Sequence, residues 1–114
     1  MATVELWSYT IGAPTVDLTG FKVEARDGSI GKVDEATMEA GGSYLVVDTG
    51  PWIFGKKVLL PAGVIRDIDL DTESVFTDLT KDEIKNAPEF DEKTYRDQPY
   101  RDELGDYYGR RRTT

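Results

Sequence analysis

The chain has 114 residues and contains neither cysteine nor histidine. Without cysteine there can be no disulfide, no thiolate nucleophile and no cysteine-ligated zinc or iron–sulfur centre. Without histidine the commonest general base and the commonest metal ligand are both missing. Hydrolase triads, zinc sites and most acid–base schemes near neutral pH lose their central residue. Carboxylate and lysine chemistry remains, but no catalytic residue and no cofactor is assigned, and the expectation is a protein that is not an enzyme. Long apolar runs are also lacking, the longest being far short of the about 18 residues that a membrane helix needs. The N-terminal MATVELWSYT shows no basic stretch followed by an apolar one, so no signal peptide is expected and the chain is read as cytoplasmic.

Basic residues are in short supply. Fourteen Lys and Arg face 22 Asp and Glu, giving a net charge of −8 and a mean hydropathy of −0.47. Phosphate backbones are bound by clustered Lys and Arg, so this balance argues against a nucleic-acid partner. The one basic run, Arg110-Arg111-Arg112, reads as a solvated terminus, or alternatively as a weak contact for an anionic partner. At this length one domain is expected, with a core that buries on the order of two-thirds of the unfolded surface.

From Gly20 to about Leu79 short strands alternate with turn signals. Phe21–Ala25 alternates apolar and polar residues, and Asp27-Gly28 supplies a hairpin turn. Ile30–Met38 is the returning strand, with Gly31 as a bulge or a point of close approach. Gly41-Gly42-Ser43 turns the chain into the β-forming run Tyr44–Asp48. Lys57–Leu60 follows, stopped by Pro61, which must end a strand or lie at an edge because it has no amide proton to donate. Val64–Leu70 and Glu73–Asp78 read as a hairpin around Asp71-Thr72. Trp7 and Tyr9, followed by Ile11 and Val16, are expected to form or lie against an N-terminal element of the same core. Then Thr80-Lys81-Asp82-Glu83 has the form of a capping box, with Leu79 and Ile84 spaced as a hydrophobic staple, and Ala87-Pro88 ends the short helix.

Beyond Pro88 the large apolar residues thin out to Phe90, Tyr95, Tyr100, Leu104, Tyr107 and Tyr108. The last four share one face of a helix that Pro99 can start and Gly109 can end. Such a segment cannot build its own core. It must dock on the strands, dock on another chain, or stay mobile.

The stretch LTGFKVEARDGSIGKVDEATMEAGGSYLVVDTGPWIFGKKVLLPAGVIRDID resembles a PRC-barrel domain. The resemblance lies in Gly20, the Val23…Asp27-Gly28…Ile30-Gly31-Lys32-Val33 hairpin, the strand Tyr44–Val47, and Lys57-Val58-Leu59-Leu60-Pro61-Ala62 with a following hairpin. It covers roughly residues 15–92, including KDEIKNAPEFD, which is similar to bacterial stand-alone members. The resemblance implies an all-β fold, a small and highly twisted barrel of about six strands. Related domains form the cytoplasmic part of the photosynthetic reaction-centre H subunit and the C-terminal half of a ribosome maturation factor. In both the domain contacts other proteins, and neither role transfers to this chain, because fold alone does not carry function. Residues 1–87 are thus expected to form a PRC-barrel-like β domain ending in a short capping helix, and 88–114 a C-terminal extension that docks on it or on a second subunit.

Three groups of residues are candidates for function. In Gly50-Pro51-Trp52-Ile53-Phe54-Gly55-Lys56-Lys57, turn residues bracket three consecutive large apolar ones. Neighbours in an extended segment point to opposite sides, so one core cannot bury Trp52, Ile53 and Phe54 together. At least one of them is expected in an interface. Lys56 and Lys57 serve either as a cationic cluster beside those rings or as protection of a strand edge. Tyr100, Leu104, Tyr107 and Tyr108 supply a complementary surface, since tyrosine combines large area with a polar tip. A two-fold homodimer in which each extension crosses to the other barrel is the simplest closed arrangement. The third group is Asp67, Asp69 and Asp71 with Asp78, which begins like a calcium loop. Thr72 stands where such a loop needs glycine, however, and the flanks read as strands. Alternating Asp on the wet face of a strand pair is the plainer reading; a metal- or small-ligand-binding sensor is the alternative. The leading expectation is a self-associating protein–protein interaction domain.

Overall fold

The structure, a computed structural model, describes residues 6, 7, 9, 16–37, 43–50, 57–88, 90, 91, 93, 95 and 97–112, with side chains up to 109. Strands β1 (Lys22–Ala25) and β2 (Gly28–Ala36) form the first hairpin, closed by Arg26 and Asp27. Val23 and Ala25 point inward while Lys22 lies in water, which is the alternation that the sequence shows. Val23 pairs with Gly31 but Glu24 pairs with Ser29, so Ile30 is an extra residue on β2. The bulge falls at Ile30, one residue before the expected Gly31, and Gly31 is instead the point of close approach. Gly31 has φ +149°, and a Cβ there would strike the carbonyl oxygen of Asp48 and come within 2.9 Å of Thr49 Cα. Only glycine allows β3 to pass so close.

Strand β3 (Tyr44–Asp48) is buried on both faces up to Val47, and it pairs antiparallel with both β2 and β4 (Lys57–Pro61). Pro61 ends β4, and β4 is an edge strand, so both options for this proline hold at once. A 3-10 turn over Ala62–Val64 leads into β5 (Ile65–Asp69), which returns along β6 (Ser74–Thr77). β6 then lies parallel to β1.

The strand order is β4-β3-β2-β1-β6-β5 in one six-stranded sheet. No pairing joins β4 to β5 among the described residues, so the expected closed barrel is not seen in the strand ladder. The reason is covalent. β4 and β5 are consecutive, and the three-residue turn between them bends one continuous segment from one edge of the sheet to the other. The bend is tied at both ends, by Ala62 N–H donating to Ser43 O (3.1 Å) and Asp78 N–H donating to Val64 O (2.9 Å).

Helix α1 (Lys81–Lys85) begins as its sequence predicts. The Thr80 hydroxyl accepts from Glu83 N–H (3.2 Å), the Glu83 carboxylate accepts from Thr80 N–H (2.8 Å), and Leu79 and Ile84 are both buried. Helix α2 (Gln98–Arg112) starts one residue before Pro99 and does not stop at Gly109, so the arginine run is its last turn, where cations favour the helix dipole.

Sheet and helices share one core. Val23, Ile30, Val33, Leu45, Val47, Leu59, Leu60, Ile65 and Val75 from the strands meet Ile84, Tyr100, Leu104 and Tyr108 from the helices. Leu6 and Trp7 join it, and Tyr9 packs against it. Val16 does not; it is 39% exposed. Among the described residues no helix is long and apolar enough to cross a membrane.

Candidate interaction surface

The C-terminal segment is built to dock. Tyr100, Leu104 and Tyr108 lie one above another on α2 and are buried in the core of their own chain, at 8%, 0% and 0% exposure. They are therefore not available as partner anchors, contrary to the expectation from sequence. Tyr107 is half-buried, its ring edge-on to Tyr108 at 5.0 Å and its hydroxyl donating to Glu83 O at 2.7 Å, which fastens α2 to α1. Of the destinations open to this segment, the single chain shows docking on its own strands.

Polar tips and stacked rings complete the dock. One oxygen of the Glu35 carboxylate accepts from Tyr95 OH (2.9 Å) and the other from Tyr44 OH (3.1 Å). Tyr95 packs edge-on against Tyr44 (6.1 Å) and tilted against Phe90 (4.8 Å). The Arg101 guanidinium reaches from α2 to lie 4.7 Å from the Trp7 ring centre and 5.2 Å from that of Tyr44. Tyr100 OH donates to Pro88 O (3.3 Å), and Tyr9 OH donates to Thr37 O (3.0 Å). Burial pushes the Tyr9 phenol up to about 12. It also raises the Tyr100 phenol, with help from the Glu103 charge. Neither group titrates near neutral pH, and both act here as neutral donors.

The acidic series does not form a cation site. Asp67 accepts from Ile68 N–H (2.9 Å), while one Asp69 oxygen accepts from the amides of Asp71 (2.9 Å) and Thr72 (3.2 Å). Asp78 is 3.6 Å from Arg26 on the far side of the hairpin. Among the described residues no three acidic side chains gather as metal ligands would. Asp69 organises the turn that links β5 to β6 through its bonds to the Asp71 and Thr72 amides, and Asp67, Asp69, Asp71 and Asp78 are not gathered into one site among the described residues.

Trp52, Ile53, Phe54 and Lys56 lie outside the described residues. Among the described residues the β3–β4 ladder ends with Asp48 paired to Lys57, and residues 49–56 stand between them in the sequence. Asp48 Oδ1 accepts from Gly50 N–H (2.9 Å), and Gly50 takes φ +55°, turning the chain away from β3. Lys57 pairs with Asp34 across the sheet (3.0 Å). Elsewhere apolar exposure is slight: among the described residues only Val16 and Leu70, at 39% and 54%, are large, apolar and exposed, and they are single residues of the kind every surface carries. A further feature invisible in the linear sequence is Lys22, which pairs directly with Lys32 across β1 and β2 beside a cleft.

No protein-family profile matches the chain, and no curated protein matches it. Nine chains of known structure do. One is described as a 16S ribosomal RNA processing protein, RimM, from Pseudomonas aeruginosa. It is 25% identical over 57% of this chain and 42% of its own length, with a TM-score of 0.48. The chain therefore spans less than half the length of the protein it matches.

Proposed function

We propose that the protein is a non-enzymatic interaction domain of the PRC-barrel type, acting in the cytoplasm and self-associating or binding another protein through the β3–β4 connection. One observation carries this reading. Residues 49–56, Trp52-Ile53-Phe54 among them, separate the paired Asp48 and Lys57 in sequence, more than the about 2–5 usual in a hairpin, and this length supports the reading. Long connections on a rigid sheet are where recognition tends to reside. The tyrosine face of α2 is consumed within the chain, so among the residues expected to bind a partner this connection now stands first, with Lys56 and Lys57 as its charged rim. Hot spots favour Trp in this role because it offers a large rigid area.

The test is affinity capture with wild type and with Trp52→Ala plus Phe54→Ala, alongside light scattering of each purified protein. The expected result is loss of captured protein, or of self-association, in a variant whose urea midpoint stays near that of wild type. A variant that unfolds while the captured set is unchanged would make the triplet part of the core and overturn the reading.

A further inference from the structure

Across the sheet runs a row of paired residues: Ser74 on β6, which is buried, then Lys22 on β1, Lys32 on β2, Asp48 on β3 and Lys57 on β4. Directly paired residues on neighbouring strands share a face, so their side chains are neighbours. Three of the five are lysines in a chain of net charge −8. Lys57 is matched by Asp34. Lys22 and Lys32 face each other as like charges, an arrangement that destabilises a strand pair, and neither has an ion-pair partner among the described residues. Asp48 stands opposite Lys32, its Oδ1 accepting from the Gly50 amide, and its charge offsets one of the two lysines without forming an ion pair with either.

Beside this pair lies a cleft of about 390 Å³, lined by Lys22, Lys32, Ser29, Asp48, Thr49 and the backbone of Gly31 and Gly50. That volume lies within the range of small-molecule sites. Neither glycine places a side chain in it, and Gly31 cannot carry one. Two lysines against the one carboxylate of Asp48 leave the lining net cationic, and with its hydroxyls, glycine backbone and lysine stems it suits a compact anion borne on a short apolar body. Such a ligand would relieve the Lys22–Lys32 repulsion that the free protein sustains. A local arrangement that works against stability and is only partly offset, here by Asp48, marks a place where another requirement acts.

We infer that the Lys22–Lys32 cleft binds a small organic anion, a carboxylate or phosphate on an apolar body. This is a ligand site separate from the protein contact proposed above, and its test does not involve residues 51–56. Hexyl phosphate and hexanoate are titrated into the full chain while the amide resonances of Gly31, Thr49 and Gly50 are followed, with inorganic phosphate and hexanol as the two halves of the ligand. Saturable shifts at these three amides are expected with hexyl phosphate and hexanoate, and weaker ones with either half alone. Affinity should fall as salt is raised, and by about tenfold or more in Lys22→Gln plus Lys32→Gln, which removes two charged hydrogen-bond donors.

Hexanol binding as tightly as hexyl phosphate would overturn the role of the lysines without any variant. Inorganic phosphate doing so would overturn the apolar part. A linear, unsaturating response, or saturation unaltered in the double variant, would overturn the site. An acidic peptide that outcompetes hexyl phosphate would reassign the lysines to protein recognition and overturn the small-ligand inference.

Discussion

The sheet and the C-terminal segment feed the same core, but they are held by different means. The sheet is specified by backbone. Ladder hydrogen bonds, an extra residue at Ile30 and the close pass of β3 over Gly31 fix its register. The segment from Phe90 to Tyr108 has no ladder. It is held by a few large side chains on one helical face and by hydroxyl tips that end on Glu35, Glu83 and Pro88. The sheet therefore depends on its backbone geometry as well as on its buried side chains, whereas the segment depends on side chains alone.

The largest test of this contrast is Gly31→Ala. A methyl group there meets the Asp48 backbone at a φ that side chains rarely adopt, so the expected cost exceeds about 3 kcal/mol in urea unfolding, or the chain fails to fold. A variant within about 0.5 kcal/mol of wild type would mean that β3 can yield, and the contrast would fail. Next comes Leu104→Ala, which removes a fully buried side chain of α2 and should cost about 2–5 kcal/mol. If α2 were an optional appendage, the sheet would unfold at an unchanged midpoint.

A smaller effect is expected at the seam between the two regions. Thr80→Ala deletes the hydroxyl half of the capping box and should cost about 1 kcal/mol. Glu83→Gln, which preserves the reciprocal bond, should cost less.

Alkaline pH probes the buried hydroxyls and gives the mildest effect. The Tyr9 phenol is raised from 10.0 to about 12 in the folded chain, so its neutral form is favoured there. Below pH 10 both states keep the proton and the contribution is complete. Between pH 10 and about 12 only the unfolded chain releases it, and stability falls as pH rises. The raised Tyr100 phenol extends the same loss. Urea midpoints at pH 9 and pH 11.5 should differ in this direction, and Tyr9→Phe should reduce the difference.

Most of the sheet was legible because its signals are local. Alternation marked the strands, Asp27-Gly28 the first turn, Pro61 the end of an edge, and Thr80 with Glu83 the cap. Gly31 was readable as a point of close approach, though not which backbone passes it. The helical face of Tyr100, Leu104 and Tyr108 was equally visible from spacing. Its destination was not, since spacing records which residues share a face and says nothing of what the face meets. Glu35 as acceptor for two tyrosines, Arg101 between Trp7 and Tyr44, and Lys22 opposite Lys32 all depend on register and on contacts between distant segments. For the same reason the acidic series read as a possible site until the turn at Asp69 was seen to use its oxygens. The closed ladder expected from the family resemblance failed at one place, the bend at Ala62–Val64, where covalent continuity stands in for pairing.

The parallel pairing of β1 with β6 has a consequence for the order in which the chain folds. The Thr77 hydroxyl reaches Glu24 O across 53 residues of sequence. Hairpins β1–β2, β3–β4 and β5–β6 can each form locally, but β1 cannot be covered on its second edge until β6 exists. At ordinary synthesis rates that leaves an open strand edge for about 3–10 s. Closure of so long a loop precedes any stabilising contact, so docking of β6 on β1 should limit the rate. Val75→Ala, within that pair, should accordingly slow refolding in stopped-flow more than it speeds unfolding.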